Sequence, residues 1–219
     1  MPALGLEGSA ISSLITSLAM IAAYVAVIGQ DRLLRRYHIF GRWWRPEWQR
    51  LRQITVIGTP IALTVLAEAG LFSGAALLMG RIGSVELAAH TLALNLAALT
   101  FQIPFGIAQA ATIRVGYHFG AQDRAAAGRA GWAALLVSVL FMGVMAAGMM
   151  AAPRFILSLY VDPAAPQNAA MVAFAVQYLV IAAAFQLFDG AQAVAAGALR
   201  GLQDTRMPLL IALFGYWMI

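Results

Sequence analysis

The hydrophobic and polar positions of this chain form long, uninterrupted apolar runs separated by short polar connections. A helix needs about 20 apolar residues to cross a bilayer. Five runs reach that length, at residues 10–30, 54–79, 86–113, 130–152 and 170–198, and a sixth of about half that length ends the chain. The apolar residues are continuous rather than periodic. The pattern therefore predicts an all-α polytopic membrane protein with five full transmembrane helices and a truncated sixth.

Composition supports this interpretation and excludes other classes. The chain is 62% hydrophobic and only 11% charged, with a mean hydropathy of +0.81, whereas soluble domains carry about 25% charged residues. It has no cysteine, which excludes disulfides, thiolate metal sites and cysteine nucleophiles. We find no metal-ligand cluster, nucleophile triad or phosphate loop, so we expect neither an enzyme nor a bound cofactor.

The arginines, which supply all the positive charge of a chain with net charge +5, predict its orientation. Residues 31–53 contain seven arginines and three tryptophans. If this segment is cytoplasmic, twelve arginines lie inside and only Arg81 and Arg154 lie outside, and this bias places the N-terminus outside. The tryptophans suit a segment lying along the inner headgroup layer, and a solvated linker explains them equally well. Because topology explains the arginines, we expect no nucleic-acid partner.

Two of the nine carboxylates, Glu68 and Asp189, lie near the middle of apolar runs, and the others lie at run ends or in connections. An ionised carboxylate at bilayer depth costs about 2.5–3.5 kcal/mol. Such residues usually face a bundle interior or a wet cavity, where they bind ions, protons or cationic ligands. The alternative for each is a protonated, structural acid that is hydrogen-bonded between helices. We favour the functional interpretation, which makes a transporter the first hypothesis.

Polar side chains share helix faces with both acids. Thr64 precedes Glu68 by four residues, and Gln186 and Gln192 bracket Asp189 at three-residue spacing. We expect the two amides to orient the ionised form of Asp189, while burial favours its neutral form.

A row of amides follows the run at 86–113. Asn95, Gln102 and Gln109 stand seven residues apart and therefore lie on one helix face. Amides in lipid either line a polar cavity or hold helices together, and the second role is the commoner. His90 lies near the outer end of the same run, where a single histidine is more often a satisfied interface residue than a proton carrier.

Two long stretches are distinctive: GTPIALTVLAEAGLFSGAALLMGRIGSVELAAHTLALNLAALTFQIPFGIAQAATIRVGYHFGA and AAFQLFDGAQAVAAGALRGLQDTRMP. Together with PALGLEGSA near the start, they make the chain resemble the MATE (multidrug and toxic compound extrusion) family, most closely its NorM-type branch. Members have twelve helices in two six-helix lobes. The resemblance implies that residues 1–30 form the last helix of the N-terminal lobe, 31–53 a basic cytoplasmic inter-lobe linker and 54–219 an incomplete C-terminal lobe. We therefore expect a fragment covering helix six to part of helix eleven, although Met1 could be a natural start.

The resemblance also implies roles for individual residues. In NorM-type members a helix-seven glutamate and a helix-ten aspartate form a cation-binding site, and Glu68 in LAEAG and Asp189 in QLFDG occupy those positions. Further residues are candidates to line the cavity around this site. They are Thr64, Asn95, Gln102, Gln186, Phe185 and Phe188. The two phenylalanines among them could contact a lipophilic cation, but phenylalanines that face lipid are more often packing residues.

These inferences lead us to expect part of a secondary active antiporter in the bacterial inner membrane. It would export cationic lipophilic drugs in exchange for Na⁺ or H⁺. Its partners would be those drugs, membrane lipids and the N-terminal lobe, whose helix-one aspartate the chain does not contain. One alternative is a lipid-linked-oligosaccharide flippase of the same superfamily. A flippase cavity usually needs cationic residues to bind a pyrophosphate. All fourteen arginines of this chain lie at span ends or in loops, which argues against a flippase. Another alternative is a non-transporting truncated membrane product.

Overall fold

A computed structural model describes residues 5–31 and 46–218, with side chains from residue 7 onward. Most of the predicted linker at 31–53, including Trp43 and Trp44, lies outside the described residues. The described part of the chain is helical and contains no strand. Its helices are α1 (Gly5–Gln30), α2 (Trp48–Ile82), α3 (Ser84–Gly120), α4 (Arg124–Ala151), α5 (Pro153–Leu157), a 3₁₀ turn (Pro166–Asn168), α6 (Ala169–Gly201) and α7 (Arg206–Trp217).

Five of these helices, α1, α2, α3, α4 and α6, are long and apolar enough to cross a membrane. They coincide with the five predicted runs, so the prediction of an all-α, multi-pass membrane protein is confirmed. Several helices extend beyond the apolar runs into residues rich in arginine and histidine. α3 has 37 residues and is therefore about 55 Å long, whereas the hydrocarbon core is about 30 Å thick. Its charged end can thus reach the headgroups.

The chain divides into two compact units, Met1–Arg52 and Gln53–Ile219. The first unit contains α1. The second contains α3 to α7 together with α2 from Gln53 onward, and it holds all the candidate site residues.

Within the second unit, α3, α4 and α6 pack against one another and form the core. Its buried side chains are small or aliphatic, as is typical where helices approach closely in a membrane. They include Ala89, Leu92, Ala93 and Leu96 of α3, Ala146 and Met149 of α4, and Val172, Ala175, Leu179 and Ala183 of α6.

Glycines of α6 allow it to contact the backbone of α3. A Cβ at Gly197 would lie 2.5 Å from the carbonyl oxygen of Ala108, and one at Gly201 would lie 2.7 Å from that of Thr112. The Thr112 hydroxyl also donates to the Gly197 carbonyl oxygen at 2.8 Å. This close contact fixes the position of α6 relative to α3 next to the candidate site.

Helix α2 meets this core through larger side chains. Phe72 of α2 lies edge-on to Phe185 of α6, with ring centroids 6.2 Å apart. A Cβ at Gly70 would lie 3.3 Å from the Trp217 ring of α7. Between these contacts, open space remains beside α2.

Candidate functional site

Two cavities lie beside α2, between it and helices α3 and α6. The first, which we call the His90 cavity, has a volume of about 420 Å³. Its polar and aromatic lining residues are Glu68, Phe72, His90, Asn95, Phe101, Tyr178, Phe185, Gln186 and Asp189. The second, which we call the Tyr216 cavity, has a volume of about 370 Å³. Its polar and aromatic lining residues are Thr64, Glu68, Phe72, Phe101, Phe105, Asp189, Gln192, Arg200 and Tyr216.

The two mid-span carboxylates stand where these cavities adjoin. Glu68 of α2 and Asp189 of α6 line both cavities, as do Phe72 and Phe101. Both carboxylates are half-buried, and two carboxylates that share one site repel each other when both are ionised. A cation between them would relieve that repulsion, because opposite charges attract strongly where water is scarce.

Neither carboxylate accepts a hydrogen bond from any residue that the structure describes. This finding corrects the expectation that Gln186 and Gln192 orient Asp189, because both amides are engaged elsewhere. Gln186 is 2% exposed; its Oε1 accepts from the Thr100 hydroxyl at 2.8 Å, and its Nε2 lies 3.5 Å from the Met149 sulfur. The amide of Gln186 therefore holds α3, α4 and α6 together.

The second amide points to the last helix. Gln192 Nε2 donates to the hydroxyl oxygen of Tyr216 at 2.6 Å, which connects α6 to α7 at the Tyr216 cavity. Asp189 is left facing the cavities without a protein donor among the described residues. It does not act there as a hydrogen bonder between helices, which was the structural alternative for it.

Two of the residues expected to line the site lie elsewhere. Phe188 is 78% exposed, and Gln102 is also exposed; neither is among the residues that line the two cavities. Phe188 is one residue from Asp189 and so about 100° around the helix. Gln102 follows Phe101, which lines both cavities, and so lies about 100° around α3 from that side chain. These two residues therefore do not line the two cavities that the structure describes.

The remaining expected residues are brought to the cavities. Thr64 is buried in the Tyr216 cavity, where its hydroxyl donates to the Pro60 carbonyl oxygen at 2.9 Å. Asn95 and Phe185 line the His90 cavity. Asn95 makes no hydrogen bond to any described residue, so it does not join helices there.

Sequence reasoning missed Arg200 and Tyr216. Arg200 lies in the last turn of α6 and lines the Tyr216 cavity with both carboxylates. Arg200 thus lies at a helix end, as expected for all the arginines, and still lines a cavity of the candidate site. The signal that could have identified it is its spacing from Asp189, eleven residues or about three turns, which places both on one face. Tyr216 gave no signal, because α7 has no charged residue beyond its first turn.

His90 also departs from expectation. Its Nε2 is buried and has no hydrogen-bond partner among the described residues, and its ring lies edge-on to Tyr178 at 6.3 Å. It is therefore not a satisfied interface histidine, and it lines the cavity that contains the two carboxylates.

The chain is similar to known proteins along nearly its whole length. Residues 60–219 match the family model described as MatE. The chain is 45% identical over 99% of its length to a "Probable multidrug resistance protein NorM" of Mesorhizobium japonicum, and 44% identical over 98% of its length to one of Brucella suis. It is 42% identical over 99% of its length to the "Multidrug resistance protein NorM" of Burkholderia vietnamiensis. These matches cover 46%, 45% and 46% of the relatives, so the chain spans about half their length.

Proposed function

Because the chain belongs to the MATE family, we propose that it is part of a multidrug efflux antiporter that exports lipophilic cations in exchange for Na⁺ or H⁺. In this proposal Glu68 and Asp189 bind the coupling ion. The observation that carries it is the position of the pair. Two carboxylates face two adjoining cavities, and neither accepts a hydrogen bond from the described residues.

The charge around the pair also supports a cationic ligand. The Tyr216 cavity contains two carboxylates and one guanidinium, that of Arg200. When both acids are ionised, the cavity carries an excess negative charge, which attracts a cation and disfavours a pyrophosphate. For this reason we prefer an antiporter of cations to a flippase of lipid-linked oligosaccharides.

The aromatic residues suggest the class of drug. Phe72, Phe101 and Phe185 line the His90 cavity next to the carboxylates. Aromatic faces attract cations within about 6 Å of the ring centre. A flat or lipophilic organic cation would thus meet both aromatic surface and negative charge.

Coupling follows from competition for the same carboxylates. A drug cation and the coupling ion both require ionised or exchangeable acids, so binding of one displaces the other. Each ligand shifts the conformational equilibrium only by its difference in affinity for the two states. Because the chain spans about half of its relatives, we propose that transport also needs an N-terminal lobe.

The proposed arrangement assigns residues 1–30 to the last helix of that lobe, 31–53 to a cytoplasmic linker and 54–219 to the C-terminal lobe. It places the protein in the bacterial plasma membrane. The connection between α3 and α4 and the one between α6 and α7 would face the cytoplasm, because their arginines follow the positive-inside bias.

Cation binding by the purified chain in lipid nanodiscs tests this proposal without requiring transport. We expect ethidium, a lipophilic cation, to bind and to compete with Na⁺ or to release protons. Glu68→Gln and Asp189→Asn should each weaken binding about tenfold or more, because a contact to a charged group contributes about 1.5–3 kcal/mol. The double variant should be little worse than either single, since the two residues act as one site.

Glu86→Gln is the matched control, because Glu86 lies at the start of α3 and is not among the lining residues. It should bind ethidium as the unchanged chain does. Unchanged ethidium and ion binding in both site variants would show that the carboxylates are not the site. Tighter binding of inorganic pyrophosphate than of ethidium would favour a flippase instead.

A further inference from the structure

A concave surface lies on the side of α3 that faces away from the amide row. A groove of about 550 Å³ runs between α3 and α4, close to the turn that joins them. We call it the basic groove. It contains none of the residues that line the His90 and Tyr216 cavities, so it is independent of the proposed transport site.

The two ends of the basic groove differ in chemistry. Arg114 and His118 of α3 and Arg129 of α4 lie at the end near the turn. The remainder is lined by alanines together with Ile107 and Val137. Ile107 is seven residues from Arg114 and Val137 is eight from Arg129, so the apolar part extends about 10–12 Å along the helices.

The basic residues at this end are free to bind a ligand. Arg114 and Arg129 are exposed, and neither forms an ion pair or hydrogen bond with the residues at 46–218. The carboxylate nearest in sequence, Asp123, is engaged, because its Oδ1 accepts from the Ala126 amide at the start of α4. Two guanidiniums at the rim of an apolar groove, neither paired with a described residue, attract an anion that has an apolar tail.

The residues around the groove are of the kind found where a helix meets the membrane interface. The amide row of α3 points away from Arg114, because Gln109 and Gln102 lie about 140° and 120° around the helix from it. The groove side of α3 is otherwise apolar. Trp132, 73% exposed, and Tyr117, 69% exposed, lie at the same end of the helices, where aromatic residues mark the membrane interface.

We propose that the basic groove binds one anionic glycerophospholipid. Arg114, His118 and Arg129 would contact its phosphate, and an acyl chain would lie along the alanines between α3 and α4. Basic pockets between transmembrane helices bind anionic headgroups in this way. Arginine suits the role because its planar guanidinium can donate two hydrogen bonds to one phosphate.

Native mass spectrometry of the delipidated 219-residue chain, titrated with phosphatidylglycerol or phosphatidylcholine, tests the proposal. We expect phosphatidylglycerol to bind more tightly, by roughly fivefold for each arginine. The double variant Arg114→Gln, Arg129→Gln should bind the two lipids equally. The control Arg124→Gln, Arg206→Gln removes two exposed arginines at the same end, outside the groove, and should keep the preference.

A second variant tests the apolar part with the charges intact. Ala133→Leu places a larger side chain in the groove and should weaken the binding of both lipids. Millimolar inorganic phosphate should not displace phosphatidylglycerol, because it cannot use the apolar surface. The proposal is overturned if the unchanged chain shows no lipid preference, if the control pair loses it equally, or if free phosphate competes fully.

Discussion

Gln192 and Tyr216 form a hydrogen bond of 2.6 Å that joins α6 to α7 beside the two mid-span carboxylates. Both residues line the Tyr216 cavity together with Glu68 and Asp189. The bond fixes the Gln192 amide away from Asp189, three residues earlier on the same helix. The Asp189 carboxylate therefore stays without an amide donor because Tyr216 of α7 engages Gln192.

Removing this hydrogen bond should lower stability and change the site. Tyr216→Phe should reduce the free energy of unfolding by about 0.6 kcal/mol, and by no more than about 1.7 kcal/mol, the average and maximum found for hydrogen bonds between membrane helices. The released Gln192 amide would then be able to donate to Asp189, so we expect weaker Na⁺ or ethidium binding as well. Unfolding in mixed detergent micelles and ethidium titration measure the two effects.

A double-mutant cycle with Gln192→Met isolates this contact. The double variant should be less destabilised than the sum of the two singles, because both remove the same bond. Tyr160→Phe is the control, since the Tyr160 side chain makes no hydrogen bond to the described residues. Additive losses in the cycle would show that Gln192 and Tyr216 contribute independently.

Replacing glycine with alanine should have opposite effects on stability at Gly197, where α6 contacts α3 closely, and at Gly143, where an added methyl meets open space. In Gly197→Ala the added methyl would lie 2.5 Å from the Ala108 carbonyl oxygen, and backbone cannot rotate away as a side chain can. We expect a loss of about 1–3 kcal/mol, typical of overpacking. In Gly143→Ala of α4 the methyl meets nothing within 4 Å.

Gly143→Ala should instead leave stability unchanged or raise it by about 0.5–1 kcal/mol, because glycine weakens a helix relative to alanine. Unfolding midpoints of both variants in the same micelles provide the comparison. If Gly197→Ala is as stable as Gly143→Ala, α6 does not pack on α3 as closely as described.

The sequence predicted the helices and the two acids more successfully than the lining of the cavities. Run length alone separates a span from a loop, and an acid within a span is conspicuous, so Glu68 and Asp189 could be found without coordinates. Which neighbours line a cavity depends on the helix face and on depth. Phe185 is four residues from Asp189 and lies on its face, whereas Phe188 is one residue away and does not.

Tertiary partners carry even less signal. Gln102 follows Phe101, which lines both cavities, but its exposed side chain lies about 100° further around α3. The partners of Gln186 are Thr100 and Met149, on two other helices. Spacing along α6 could not have predicted that the Gln186 amide contacts Thr100 and Met149 rather than Asp189.

His90 offers the last test, because its buried Nε2 has no partner among the described residues. A buried polar atom left unsatisfied costs about 1–3 kcal/mol, so His90→Leu should raise the thermal unfolding midpoint. Residues that are kept at a cost in stability commonly serve function. Since His90 lines the cavity of Glu68 and Asp189, we expect the same variant to bind ethidium more weakly. Tyr178→Phe is the control, because it alters the same cavity wall but keeps the His90 imidazole. It should change the unfolding midpoint and ethidium binding less than His90→Leu does. If His90→Leu is more stable and binds ethidium as well as the unchanged chain does, His90 is not part of the site.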